Sequence, residues 1–112
     1  MSNQLQDTFS FRYTLFKVEA RIAQGMLLSK MGLKTIIVPL ADVVHIYIDD
    51  GRDRDHVEMI VCYRNRKGRL RRAKLFSEPN EAGFEALKDA LLAERPELDI
   101  SHLDRLDAYR MM

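Results

Sequence analysis

Every strong strand signal in this chain precedes its one strong helix signal. Alternating and β-branched stretches fill Phe9 to Phe76. A single amphipathic segment, Asn80 to Arg95, follows and breaks at Pro96. Period two reads as a half-buried strand and period 3.6 as one helical face, so the change of period marks a change of element. Strands first and helix last narrows the architecture to a small antiparallel β-barrel or sandwich plugged by a C-terminal helix. That order places elements and leaves function open.

Phe9, Phe11, Tyr13 and Leu15 alternate with Ser10, Arg12 and Thr14, and the pattern slips at Phe16 and Val18, which suggests a bulge or bend. Glu19 to Lys30 is mixed. Ala20, Ala23 and Met26 favour helix, whereas a strand with a glycine bulge at Gly25, turning at Met31-Gly32, fits better. Thr35 to Leu40 is apolar and β-branched, with Pro39 ending it or placing it on an edge. Val43 to Asp49 alternates, with Val44, Ile46 and Ile48 on one face and Val43, His45 and Tyr47 on the other. Val57 to Tyr63 alternates again. Asn65-Arg66-Lys67-Gly68 then supplies the short polar loop and positive-φ glycine of a hairpin leading into Arg69 to Phe76. In the last segment Phe84, Leu87, Ala90 and Leu91 share one helical face. Asn80 suits the N-cap and Glu81 the first turn. Ser101 to Asp104 resembles another capped start, so 99–112 reads as a tail or short helix. Residues 1–8 read as a flexible N-terminus and 9–98 as the domain.

A chain of 112 residues suits one domain. With 46% hydrophobic and 31% charged residues it has neither membrane-spanning nor disordered composition. No apolar run approaches the ~20 residues a membrane helix needs, and the polar start lacks the apolar stretch of a signal peptide. One cysteine, Cys62, precludes an intrachain disulfide and suits a reducing compartment. A cytoplasmic location is the expectation. The net charge of +1 is small for a globally basic nucleic-acid binder.

Locally the charge is uneven. Arg64, Arg66, Lys67, Arg69, Arg71, Arg72 and Lys74 cluster on the hairpin without an intervening acid. Such an array grips phosphates or acidic protein segments, or is a solvated face. Aromatic residues are not interleaved, so base stacking is unsupported. Glu78, Glu81, Glu85 and Asp89 offer partners within the chain. Asp49, Asp50, Asp53 and Asp55 lack the glycine and glutamate positions of a calcium loop. His45, His56, His102 and Cys62 lack the paired spacing of a zinc site. Cys62 alternates onto the face of Ile60 with no base delivered to it, and reads as an inert core thiol. No catalytic residue, metal or cofactor is assigned. Tyr47 and Tyr63, in neighbouring strands, read as core or rim packing.

Two segments carry a family resemblance. Gly32-Leu33-Lys34-Thr35-Ile36-Ile37-Val38-Pro39-Leu40-Ala41-Asp42-Val43-Val44 is similar to a passage in which a basic start and apolar strand turn at Pro-Leu-x-Asp-Val. The Arg-Lys-Gly hairpin with Phe84-x-x-Leu87 and Arg95-Pro96-Glu97-Leu98 is the second. Together they resemble the bacterial pleckstrin-homology-like (PH-like, GRAM-like) domains over most of 9–98. The resemblance implies a mainly β, PH-like barrel or sandwich of six or seven antiparallel strands capped by one helix. It also implies a non-enzymatic binding or assembly module, acting by protein–protein interaction or homo-oligomerisation. The alternative is anionic phosphate binding, of nucleic acid or lipid headgroup, through hairpin 64–74. Phosphoinositide-binding members carry a basic cluster across the first two strands. This chain offers only Lys17, Arg21 and Lys30 there, with Glu19 between the first two, which argues against an inositol-phosphate ligand.

Overall fold

A four-stranded antiparallel meander forms first, a second antiparallel set follows, and one helix comes after both. The computed structural model describes residues 8–49, 56–98 and 100–102. Strands β1 (Thr8–Tyr13), β2 (Phe16–Ala23), β3 (Met26–Met31) and β4 (Lys34–Pro39) pair in sequence order. A 3-10 turn at Leu40–Asp42 leads into β5 (Val43–Asp49), which pairs with β6 (Val57–Arg64), itself paired with β7 (Leu70–Ser77). Helix α1 (Ala82–Glu94) follows, and β8 (Ile100–His102) returns to lie parallel to β5.

The first sheet is a run of two-residue hairpins. Tyr13 pairs with Phe16 across Thr14-Leu15, Ala23 with Met26 across Gln24-Gly25, and Met31 with Lys34 across Gly32-Leu33. Gln24 and Gly25 are both at positive φ (53° and 75°), the type I′ geometry that matches strand twist. The slip at Phe16 is therefore a turn, not a bulge. Gly25 likewise sits in a turn between two strands, and the third turn is Gly32-Leu33 rather than Met31-Gly32. The real bulge is in β5, where the register shifts between Val43 and His45. It puts Val43 into the core with Ile46 and Ile48 and turns Val44 outward, reversing the expected faces of those two valines.

One core cluster joins the inner faces of both sheets and the helix, through Phe11, Val18 and Leu27, Met59 and Leu75, and Phe84 and Leu87. The ring of Phe84 meets Phe11 edge-on at 5.3 Å. Burial of Phe84, Leu87 and Leu91 contributes roughly 1.5–3 kcal/mol each. The helix cap differs from expectation. Asn80 lies at φ 64°, Glu81 is the N-cap, and its Oε1 accepts the main-chain N–H of Arg12 at 2.6 Å instead of capping its own helix. At the other end Arg95 Nη1 donates to the carbonyls of Leu40 and Val43, tying the helix terminus to the β4–β5 corner.

The sheets do not close into a barrel. The main-chain N–H of Glu78 donates to Arg12 O at 2.7 Å, joining the end of β7 to β1. On the other side β4 and β7 have no further strand partner among the described residues. Ile100–His102 is a strand covering the edge of β5, and the rest of the expected tail or short helix, 103–112, lies outside the described residues. No described helix is long and apolar enough to cross a membrane.

Candidate functional site

The basic hairpin is a braced structure. Arg64 pairs with Leu70, leaving a loop of Asn65 to Arg69. Asn65 Oδ1 accepts the main-chain N–H groups of Lys67 (2.9 Å) and Arg69 (3.0 Å). Gly68, at φ 76°, donates to Asn65 O (2.9 Å), and Asn65 donates to Arg69 O (2.9 Å). Arg64 Nη1 donates to Gly68 O at 2.9 Å, so one cation is spent on the turn itself. Asparagine before a short loop with glycine in the left-handed region is what this geometry requires.

The bracing leaves Arg66, Lys67, Arg69 and Arg71 exposed, and none of them forms an ion pair among the described residues. The acidic helix residues do not neutralise them. Glu85 pairs with Lys88 at 2.7 Å, and Glu81 takes the Arg12 main chain. Arg72 and Lys74 point to the outer face, opposite Cys62 and Ile60. Beside the hairpin an open groove of about 490 Å3 runs between β4 and β7. It is lined by Lys34, Ile36, Ile37, Tyr63, Arg72 and Lys74. The hairpin cations and the two strand edges therefore lie in one neighbourhood, and Lys34, which in the sequence is only the basic residue ahead of the Thr35–Leu40 strand, joins them.

Elsewhere, Tyr47, Ile60 and Cys62 form a small buried cluster on the outer face of the second sheet. Burial pushes the Cys62 thiol up to about 11 against the pull of Arg72. Burial, and secondarily Cys62, also raises Tyr47. His45 rests on Tyr47, with ring centroids 4.3 Å apart. His56 Nε2 lies 3.7 Å from buried Glu58, against a stack of Tyr13 on Phe76. Among the described residues no three histidine, cysteine, aspartate or glutamate side chains converge on a metal-sized point. Of the acidic loop only Asp49, buried at the end of β5, lies within the described residues.

What sequence reading missed is at the opposite hairpins. Leu15 and Leu33 occupy turn positions and are fully exposed, at 100% and 104%. The available signal was a leucine where turns favour Gly, Asn or Asp. Comparison with protein-family models, with curated proteins and with solved structures finds no match.

Proposed function

We propose that this chain is a non-enzymatic PH-like binding module that holds an acidic protein segment on the β6–β7 hairpin and the adjoining groove. The single observation that carries the reading is the preorganised array of Arg66, Lys67, Arg69 and Arg71. Its loop is fixed by Asn65 and Arg64, while its own charges lack ion-pair partners among the described residues. A cation array whose backbone is already ordered binds with a smaller entropic penalty. The edges of β4 and β7 add main-chain donors and acceptors along the groove, as strand addition by an extended segment uses. The PH-like assignment is supported by the order of a four-stranded meander, a three-stranded meander and a core-packed helix.

A protein segment is favoured over nucleic acid because the net charge is only +1 and no aromatic side chain sits in the loop 65–69. The test is affinity capture from native cytosol with the full chain and with an R66E/K67E/R69E variant, followed by mass spectrometry. A partner set captured by the wild type and lost by the variant is the expected result. Identical capture by both rejects the site. Heparin retention lost in the variant, with no protein partner, moves the assignment to a phosphate-bearing ligand.

A further inference from the structure

The strand edges of this fold are guarded unequally. β8 covers the edge of β5, and the Glu78 main chain bonds β1 to the end of β7. The β7 edge is charged, with Arg72 and Lys74 on its outer face, as edges that resist further pairing are. β4 differs. Thr35-Ile36-Ile37-Val38 is an uncharged β-branched run, and it has no strand partner beyond β3 among the described residues. The register fixes what this edge offers. The Gly32-Leu33 turn has two residues, so Met31 exchanges hydrogen bonds with Lys34, and the alternation carries on to Ser29 with Ile36 and Leu27 with Val38. Leu40 N–H donates to Gly25 O at 2.8 Å and keeps the same phase. The main-chain groups of Thr35 and Ile37 therefore point away from β3, toward the groove between β4 and β7. Pro39 falls in this outward phase, where its missing N–H costs β3 nothing and ends the row of donors.

The side chains around the groove divide by height. Ile36, Tyr63 and Ala73 lie on the core side and form its floor. Thr35 and Ile37 on β4, and Arg72 and Lys74 on β7, stand on the outward faces and form its rim. Ile37 is 55% exposed. We infer that a partner's extended segment, alternating acidic with apolar residues, adds to β4 as a fifth strand of the first sheet. Thr35 and Ile37 each give it one N–H and one C=O. Its residues opposite Thr35 and Ile37 share their outward face, where acidic side chains meet Arg72 and Lys74. The intervening residues turn to the floor, where apolar side chains cover Ile36 and Tyr63. The inference rests on the reading that this face holds an acidic protein segment, and it specifies the segment's pattern and the edge it joins. Charge selects such a segment over a second copy of the chain. Two chains paired through β4 would gather Lys34, Arg72 and Lys74 of both at one interface.

The test titrates the isotope-labelled full chain with a capped eight-residue peptide of alternating glutamate and valine, followed by nuclear magnetic resonance. Saturable binding that weakens with salt is expected, with amide exchange at Thr35 and Ile37 slowed by about tenfold or more. A peptide of the same composition, with its glutamates first and its valines last, should bind at least about tenfold more weakly. Methylating the glutamate main-chain nitrogens removes the donors that face β4 and should cost about tenfold, whereas methylating the valine nitrogens should cost less. I37P removes an outward N–H and no bond to β3, so it should weaken binding similarly, with its fold checked by circular dichroism. The methylated peptides test the same bonds without altering the protein. The inference is overturned by absence of binding, by equal binding of the two peptide orders or of the two methylated forms, or by unchanged exchange at Thr35 and Ile37. If R66E/K67E/R69E still loses its captured partners, any of those results leaves the hairpin reading standing. Protection of Thr35 and Ile37 that survives in R66E/K67E/R69E upholds the strand addition and removes the hairpin from it. A dimer in sedimentation velocity that I37P dissolves, with no peptide bound, overturns the inference and assigns the edge to a second copy of the chain.

Discussion

Cys62 shows how one position in a strand ladder fixes a side chain's chemistry. It stands opposite His45 on one side and Arg72 on the other, packed with Tyr47 and Ile60. Burial disfavours the thiolate more than Arg72 supports it, so the thiol holds its proton to about 11 rather than the usual 9.0. A disulfide reagent at neutral pH is therefore expected to leave the native protein unmodified and to label it stoichiometrically in denaturant. Stability should respond to alkali with a definite sign. Between about 9 and 11 the native state keeps a proton that the unfolded chain has released, so unfolding free energy falls as pH rises through that window. Below it Cys62 contributes no slope. C62A should flatten the pH dependence there, at a loss of about 1 kcal/mol at neutral pH. Denaturant titrations at a series of pH values check both. This behaviour was legible in the sequence, because the alternation of Ile60 and Cys62 already put the thiol on an apolar face. The neighbours that set its titration come from β5 and β7 and were not.

Helix α1 separates what periodicity encodes from what tertiary contact decides. Its apolar stripe was legible, and Phe84, Leu87 and Leu91 are buried as spaced. Its start was not, because the capping preference of Asn80 lost to a contact 69 positions away between Glu81 and Arg12. Gly83 is the sharpest case. Glycine inside a helix costs about 1 kcal/mol against alanine, so G83A should stabilise on helix grounds alone. A Cβ there would stand 1.9 Å from the carbonyl oxygen of Ser10, which is backbone on β1 and cannot rotate away. G83A is therefore expected to destabilise by roughly 1–3 kcal/mol by pushing the helix off the sheet. Chemical denaturation reads the sign directly, and a stabilised variant would contradict the packing. The strands repeat the lesson. Alternation and β-branched runs mark six strand stretches, but Glu19 to Lys30, which reads as one strand with a glycine bulge, is the paired strands β2 and β3, and the turns Thr14-Leu15 and Gln24-Gly25 read as irregularities. A turn with threonine or glutamine at positive φ has no residue-type signature. Val44 bulges out of β5 for a reason that lies in its pairing with β6 and not in its own identity.

At the scale of the whole molecule the two sheets meet along one hydrogen-bonded corner, where Glu78 bonds Arg12, and gape along the other, between β4 and β7. An open sandwich of this kind raises the question of whether the sheets unfold separately. The core says they do not. Phe9 and Leu27 from the first sheet, Met59 and Leu75 from the second, and Leu87 from the helix belong to one contiguous buried cluster. Arg95 fastens the helix end to Leu40 and Val43, on either side of the strand-to-strand corner. Losing either sheet would strip the inner face of the other, and the exposed apolar surface would outweigh anything the remaining sheet retained. Unfolding is therefore expected to be a single transition. Helix content followed by far-ultraviolet circular dichroism and core packing followed by tyrosine fluorescence should give coincident midpoints in urea. R95A, which uncouples the helix end from the β4–β5 corner, should lower both midpoints together, by about 1–3 kcal/mol in free energy. Separated midpoints in the wild type would instead mean that the first meander is a unit of its own, with the second sheet and helix added to it.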